Sequence, residues 1–180
     1  IAQIDAANAE DPAGRALPYG QRMTRWLELL TPEPSVALMI AVRAQHLQRW
    51  RTPRSSYPEG RSGYLRWRRA CARLHAEKAA MILTGLDAPK GIIDRVASLI
   101  RKEGLGRDEE TQLLEDAACL SFLEIELANF AEGREEPMME RVLSRTWAKM
   151  SADAQNLAIG LELPPSVSDL IAKVTSNPPQ

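Results

Sequence analysis

The sequence predicts an all-α fold, and three observations predict it. Helix formers, above all Ala, Leu, Arg and Glu, dominate nearly every window of the 180 residues. Apolar residues recur at helical spacing in segment after segment, and no stretch alternates with period two for long enough to make a strand. Short breaks carrying Pro or Gly separate these segments. With 44% hydrophobic, 26% charged and 5% aromatic residues the composition is globular, and the length suits one helical domain spanning 1–180.

The elements follow in order. Ile1 to Glu10 reads as a short helix with Ile4 and Ala7 inward, stopped by Asp11-Pro12. Tyr19 to Leu30 places Met23, Trp26, Leu27 and Leu30 on one stripe at i, i+3, i+4 and i+7. Thr31 to Pro34 breaks it, and Ser35 is the expected N-cap of a helix running to about Trp50, whose front half, Val36 to Val42, is apolar all round. The stretch 51–61, with Pro53, Pro58 and Gly60, is expected to be a loop. A long helix from Ser62 or Gly63 to about Leu86 follows, then one with Pro89 in its first turn and Ile92, Ile93, Val96, Leu99 and Ile100 inward, ended by Gly104 and Gly106. Asp108 is expected to cap a core helix reaching about Phe130. An amphipathic helix over 135–150, a short one capped by Ser151 and ending near Gly160, and a last turn or two after Pro164-Pro165 complete the chain, with a frayed tail at 176–180.

Charge is unevenly spread. Between Arg43 and Arg73 stand nine arginines, no lysine and one acid, Glu59, so this segment carries +8 within a chain whose net charge is −1. Arginine offers a planar fork of donors suited to phosphate and carboxylate, so a solvated face or an anion-binding face is expected here. No apolar run approaches the roughly 20 residues of a membrane span. The start, Ile1-Ala2-Gln3-Ile4-Asp5, lacks the pattern of a signal peptide and also an initiator Met, so residues before Ile1 are expected to be trimmed or missing. Cys71 and Cys119, without Cys-x-x-Cys spacing, read as buried thiols of a reducing compartment, which implies a cytoplasmic location. Phosphate-binding Gly loops, dinucleotide fingerprints, His-Glu-x-x-His and Gly-x-Ser-x-Gly are all absent from the sequence.

The residues suited to chemistry are few. On a helix through His46, Arg43, Arg49 and Trp50 share its face and lead into the Pro/Arg loop, so the imidazole is a candidate metal ligand, proton shuttle or structural donor. His75 sits mid-helix on a stripe of small residues, Cys71, Ala72 and Ala79. Glu115-Asp116 opens the most apolar stretch and needs a metal, an arginine or backbone donors as partner; Glu124 and Glu126 raise the same question more weakly. Ser55 and Ser56 beside Arg54 and Tyr57 suit phosphate hydrogen bonds better than nucleophilic attack. Two His with one or two carboxylates from different helices would make a hard-metal or zinc-type site.

The blocks Ile4-Asp5-Ala6-Ala7-Asn8-Ala9-Glu10-Asp11-Pro12, Arg43-Ala44-Gln45-His46-Leu47-Gln48-Arg49-Trp50, Pro53-Arg54-Ser55-Ser56-Tyr57-Pro58, Gly63-Tyr64-Leu65-Arg66-Trp67-Arg68, His75-Ala76-Glu77-Lys78 and Leu114-Glu115-Asp116-Ala117-Ala118-Cys119-Leu120 closely resemble the bacterial and fungal domain-of-unknown-function family numbered 4202, over nearly the whole chain. That family implies no established activity. A weaker resemblance is to the helical HD-domain phosphohydrolases, with His46 matching the His of the His-Asp pair, His75 a later His and Asp116 the final Asp. Leu47 replaces the paired Asp, Gly20-Gln21 stand where an upstream His is expected, and Lys102-Glu103 fall where another His often stands.

This resemblance implies a divalent metal (Fe, Mn, Zn or Mg) on His46, His75 and Asp116, joined by Glu103 or Glu115, that activates water. The expected activity is hydrolysis of a small phosphorylated or otherwise anionic substrate. His46, His75 and Asp116 would be its catalytic residues, and Arg43, Arg49, Trp50, Arg54, Ser55, Tyr57 and Arg66 would hold the substrate. An iron-dependent oxygenase of HD type is the second expectation. The third is a non-catalytic module for a nucleotide, RNA or an acidic protein, using the +8 segment with Trp50, Tyr57, Tyr64 and Trp67 interleaved. No membrane partner is expected, and oligomeric state is not legible.

Overall fold

The structure, a computed structural model, describes residues 1–127, 135–163 and 165–176. All its regular elements are helical among the described residues, and they group into two compact units, Ile1–Leu114 and Glu115–Gln180. No helix among the described residues is long and apolar enough to cross a membrane.

The first unit holds α1 (Ala2–Ala9), α2 (Ala16–Leu30), α3 (Val36–Arg43), α4 (Gly60–Thr84) and α5 (Lys90–Ile100), together with the first residues of α6 (Glu109–Ser121). Helix α5 packs on both α3 and α4, α2 packs on α3, and α1 lies against α2 and α4. The expected stripe of α2 is buried through Met23, Trp26 and Leu27, and α3 buries Ala37, Leu38, Ile40, Ala41 and Val42. Ser35 caps α3 as expected, its Oγ accepting from the Leu38 amide at 3.1 Å. Burial of Val96, Leu99 and Ile100 fixes the inward face of α5, and the turn after it runs through Lys102, Gly104 and Gly106 at positive φ.

Several features differ from the sequence reading. Helix α2 starts at Ala16, three residues before Tyr19, with Pro18 in its first turn, where a missing N–H costs nothing. Helix α3 ends at Arg43, seven residues before Trp50. Beyond it the backbone turns at Ala44, Gln48 adopts the left-handed conformation at φ 54°, and Arg49–Arg51 forms a single 3-10 turn. Nothing in local propensity stops the helix there. The turn buries Leu47, 1% exposed, and that burial outweighs the cost of a non-glycine residue at positive φ. The Pro/Arg segment is not featureless: a second 3-10 turn, Arg54–Ser56, lies within it, and the Trp67 indole donates to the Thr52 carbonyl at 2.9 Å. Helix α4 starts at Gly60, two residues before Ser62.

The Asp108 cap is also as expected. Its Oδ1 accepts from the Thr111 amide at 2.8 Å and from Arg95 at 2.9 Å, and Arg95 also reaches Glu110. The Arg95 hydrogen bond pulls the Asp108 carboxyl down to about 2. A carboxyl lowered by folding stabilises above its ordinary range, and that contribution disappears as pH falls from about 4 toward 2. Asp108→Asn, which keeps the cap and removes the charge, is therefore expected to cost about 1 kcal/mol at neutral pH. In urea titrations the gap between the two proteins should close as pH approaches 2; a gap that persists there would assign the loss to something other than the ion pair.

In the second unit, α6 continues from Glu115 into a π-helical turn, Phe122–Glu126, which buries Leu123. Helices α7 (Glu136–Trp147), α8 (Ala152–Ile159) and α9 (Pro165–Ser176) follow, with α9 packed on α7. Leu120, Leu123, Leu127 and Leu143 are fully buried. Ser151 caps α8 as expected, its Oγ accepting from the Ala154 amide at 3.2 Å. Lys173 bridges Glu136 and Glu140 from α9 to α7. The expected end of the core helix at Phe130, the Pro164 position and the tail beyond Ser176 lie outside the described residues.

Candidate functional site

The first unit brings the two histidines together. Their ring centroids are 6.1 Å apart with the planes tilted by 51°. His75 comes from the buried face of α4 and His46 from the turn that ends α3. The Nδ1 of His75 lies 2.6 Å from the carbonyl oxygen of Leu47. A carbonyl only accepts, so Nδ1 carries the proton, and in the neutral ring Nε2 is left with its lone pair. That Nε2 is buried and has no hydrogen-bond partner among the described residues. The turn that ends α3 presents this carbonyl to His75.

His46 stacks on Tyr19 from α2, with centroids 3.9 Å apart and planes within 13°. Both imidazoles are held neutral. Burial lowers His75 to about 4, helped by the Arg49 charge and opposed by the Leu47 bond. Burial likewise pushes His46 well below its ordinary value, helped by the positive charges of Arg49, Lys102 and Arg68 and by repulsion from His75 when that ring is protonated. Lys102 holds its place through a left-handed backbone, φ 56°, in the turn after α5.

Arg49 is the distinctive member of this group. It is half-buried, its guanidinium lies over the Trp67 ring at 4.4 Å, and it has no carboxylate partner among the described residues. A cation removed from water in this way calls for an anion or ordered water to satisfy its donors. Trp67 supplies a flat platform that keeps the fork of N–H groups oriented.

The remaining residues singled out in the sequence are placed elsewhere or committed to other bonds. Arg43 does not share a helical face with His46; it makes a two-pronged pair with Asp5 at 2.6 and 2.9 Å and donates to Thr24, tying α3 to α1 and α2. Arg54 donates to the carbonyls of Tyr57 and Gly60, which folds the loop on itself. Trp50 is half-buried in its 3-10 turn, Ser55 is exposed, and Tyr57 is half-buried. Arg66 is nine residues from His75 on one helix, two and a half turns, so it lies on the opposite face of α4.

Glu103 pairs with Arg101 at 2.6 Å, which holds its carboxyl below the ordinary range. Asp116 and Glu115 belong to the second unit. Asp116 is fully buried and its Oδ1 accepts from the Ser151 amide at 2.9 Å, while Glu115 lies 3.5 Å from Lys149. Sequence reasoning missed Tyr19, the Leu47 carbonyl and the role of Trp67, because none stands at a local spacing from the residue it serves.

The histidine pair bears mixed marks as a metal centre. A His fixed by a backbone carbonyl with Nε2 open is how a metal ligand is oriented. Yet no group of three or more His, Cys, Asp and Glu able to hold a metal ion occurs among the described residues. Arg49 acts on both rings, and Lys102 and Arg68 on His46, with positive charge, so the pair fits a resident divalent cation poorly.

No curated protein and no solved structure matches this chain. A family model does, over residues 1–171: the chain belongs to the family described as domain of unknown function DUF4202.

Proposed function

We propose that the first unit is a binding site for a small phosphorylated or otherwise anionic molecule, and that His75 accepts a proton during its hydrolysis. The observation that carries this reading is Arg49, half-buried on Trp67 without a carboxylate, beside two neutral imidazoles. Arg49 would hold the anion through paired N–H groups, and Lys102 and Arg68 would add favourable charge. The open lone pair on His75 Nε2 would take the proton from an attacking water as its oxygen bonds to phosphorus. The ester P–O bond breaks with its electron pair leaving on the departing oxygen, which is protonated from solvent. The imidazolium then returns its proton to water.

At about 4, His75 is a weak base in the empty site. A bound dianion stabilises the imidazolium and raises the value, so the base is strengthened by the substrate it serves. The reaction as written uses only this chain's residues and water.

The test is phosphate release from a panel of small phosphomonoesters, with metal content measured on the same preparations. Metal-depleted wild type is expected to turn over at least one of them, and His75→Ala to lower kcat by roughly a hundredfold or more. Phosphate binding without turnover of any ester would reduce the site to a binding module. Activity that follows bound metal, with both lost in His46→Ala, would put the metal-dependent reading in its place.

A further inference from the structure

The N-terminal half of α4 carries a second basic surface that the proposed hydrolytic site leaves unused. Arg61, Arg66 and Arg69 are all exposed, and none has a carboxylate partner among the described residues. With Ser62 and Leu65 they line a concavity of about 380 Å³. On a helix the three span about 12 Å along the axis and stay within one face. The patch has a defined end, because Arg73, one turn further on, is 3.7 Å from Glu77.

Two independent features adjoin these arginines. Tyr64 is 41% exposed, with its ring tilted against Trp67 at 5.8 Å and Arg68 over it at 6.0 Å. The 25-residue α4 also begins here, and its N-cap Glu59 makes no side-chain hydrogen bond to the first turn. The amide donors and positive end of a long helix therefore face the same region.

We propose that this face of α4 binds single-stranded nucleic acid, with Arg61, Arg66 and Arg69 on successive phosphates and Tyr64 offering a stacking surface to a base. The chemistry favours a phosphodiester chain over an acidic protein. A protein partner needs apolar anchors at the centre of its footprint, and Leu65 is the one apolar side chain lining the concavity. Arginine-rich grooves flanked by an exposed aromatic ring suit a backbone of spaced charges with stackable bases. Arg61, Arg66 and Arg69 take no part in the site around Arg49 and His75, so this inference does not depend on the hydrolytic reading.

The experiment is fluorescence anisotropy of a short labelled oligouridylate with the full chain at several salt concentrations. Wild type is expected to bind, with affinity falling steeply as salt rises. The triple variant Arg61→Gln/Arg66→Gln/Arg69→Gln should weaken binding by at least about tenfold and flatten the log–log salt slope by about 2, three phosphate contacts' worth for a single strand. Its circular dichroism should match wild type, since all three side chains are exposed. Lys90→Gln, which removes an exposed α5 cation outside both sites, should leave binding nearly unchanged. The proposal is overturned by absent binding at low salt, by equal affinity in the triple variant, by an equal loss in Lys90→Gln, or by polyglutamate competing better than unlabelled oligonucleotide.

Discussion

Arg49→Gln is expected to raise the dissociation constant for inorganic phosphate at least tenfold, and closer to a hundredfold if the anion sits on both prongs of the fork. A charge-assisted hydrogen bond contributes about 1.5–3 kcal/mol, and Arg49 is half-buried with no carboxylate partner among the described residues. The fold should survive, because Trp67 keeps its bond to Thr52 and Arg49 makes no ion pair among the described residues that the substitution would orphan. A second readout separates this role from a merely structural one. Arg49 lowers both histidines by its charge, so its removal should raise both. In NMR titrations the His75 midpoint should move up from about 4 and still remain under 6.5, since burial is the larger cause.

Linkage gives the same site a signature in stability. A histidine whose value folding lowers binds its proton more readily in the unfolded chain. Wild type should therefore lose stability as pH drops from 6.5 toward 4, and saturating phosphate should offset part of that loss. Unchanged histidine midpoints in Arg49→Gln, together with unchanged phosphate affinity, would remove Arg49 from the site.

The second large effect is expected from Gly63→Ala. A Cβ built at Gly63 would lie 1.8 Å from the carbonyl oxygen of Pro58, an approach no real side chain makes. The backbone of the Pro/Arg segment crosses the first turn of α4 there, and alanine forces one or the other to move. The displaced stretch includes the carbonyls that Arg54 holds. A cost of about 3 kcal/mol is expected, at the upper end of overpacking, which corresponds to a fall of roughly 6–12 °C in Tm for a chain of this size. Tryptophan fluorescence should report it, because Trp67 anchors the same segment. A Tm within two degrees of wild type, by the same scaling, would mean that the loop yields freely and does not position Arg49.

Much of the architecture was readable from periodicity and caps. The inward stripes of α2 and α5 follow from apolar spacing alone, because a helix with one apolar face has a single way to bury it. Ser35, Asp108 and Ser151 all cap where their side chains suggested, since that interaction spans three residues and needs no tertiary partner. The family, too, is written in the sequence, through blocks that run along nearly the whole chain.

The site was legible only in part. His46, His75 and the arginines stood out as candidates through their scarcity and their clustering. Their pairing could not be read, because helical spacing continues α3 through His46 and sets Arg43, His46 and Trp50 side by side. In the folded unit, burial of Leu47 breaks the helix at Arg43, sends Arg43 to Asp5, turns His46 onto Tyr19 and offers the Leu47 carbonyl to His75. Helical propensity near Ala44 differs by only a few tenths of a kcal/mol among the competing conformations, whereas burying a leucine is worth about 2 kcal/mol. The sequence by itself determined which segments are helical, where they are capped and how unevenly charge is spread. Only tertiary packing decided that the half-buried Arg49 is left without a carboxylate among the described residues, because ion pairs form between side chains that the chain brings together across dozens of residues.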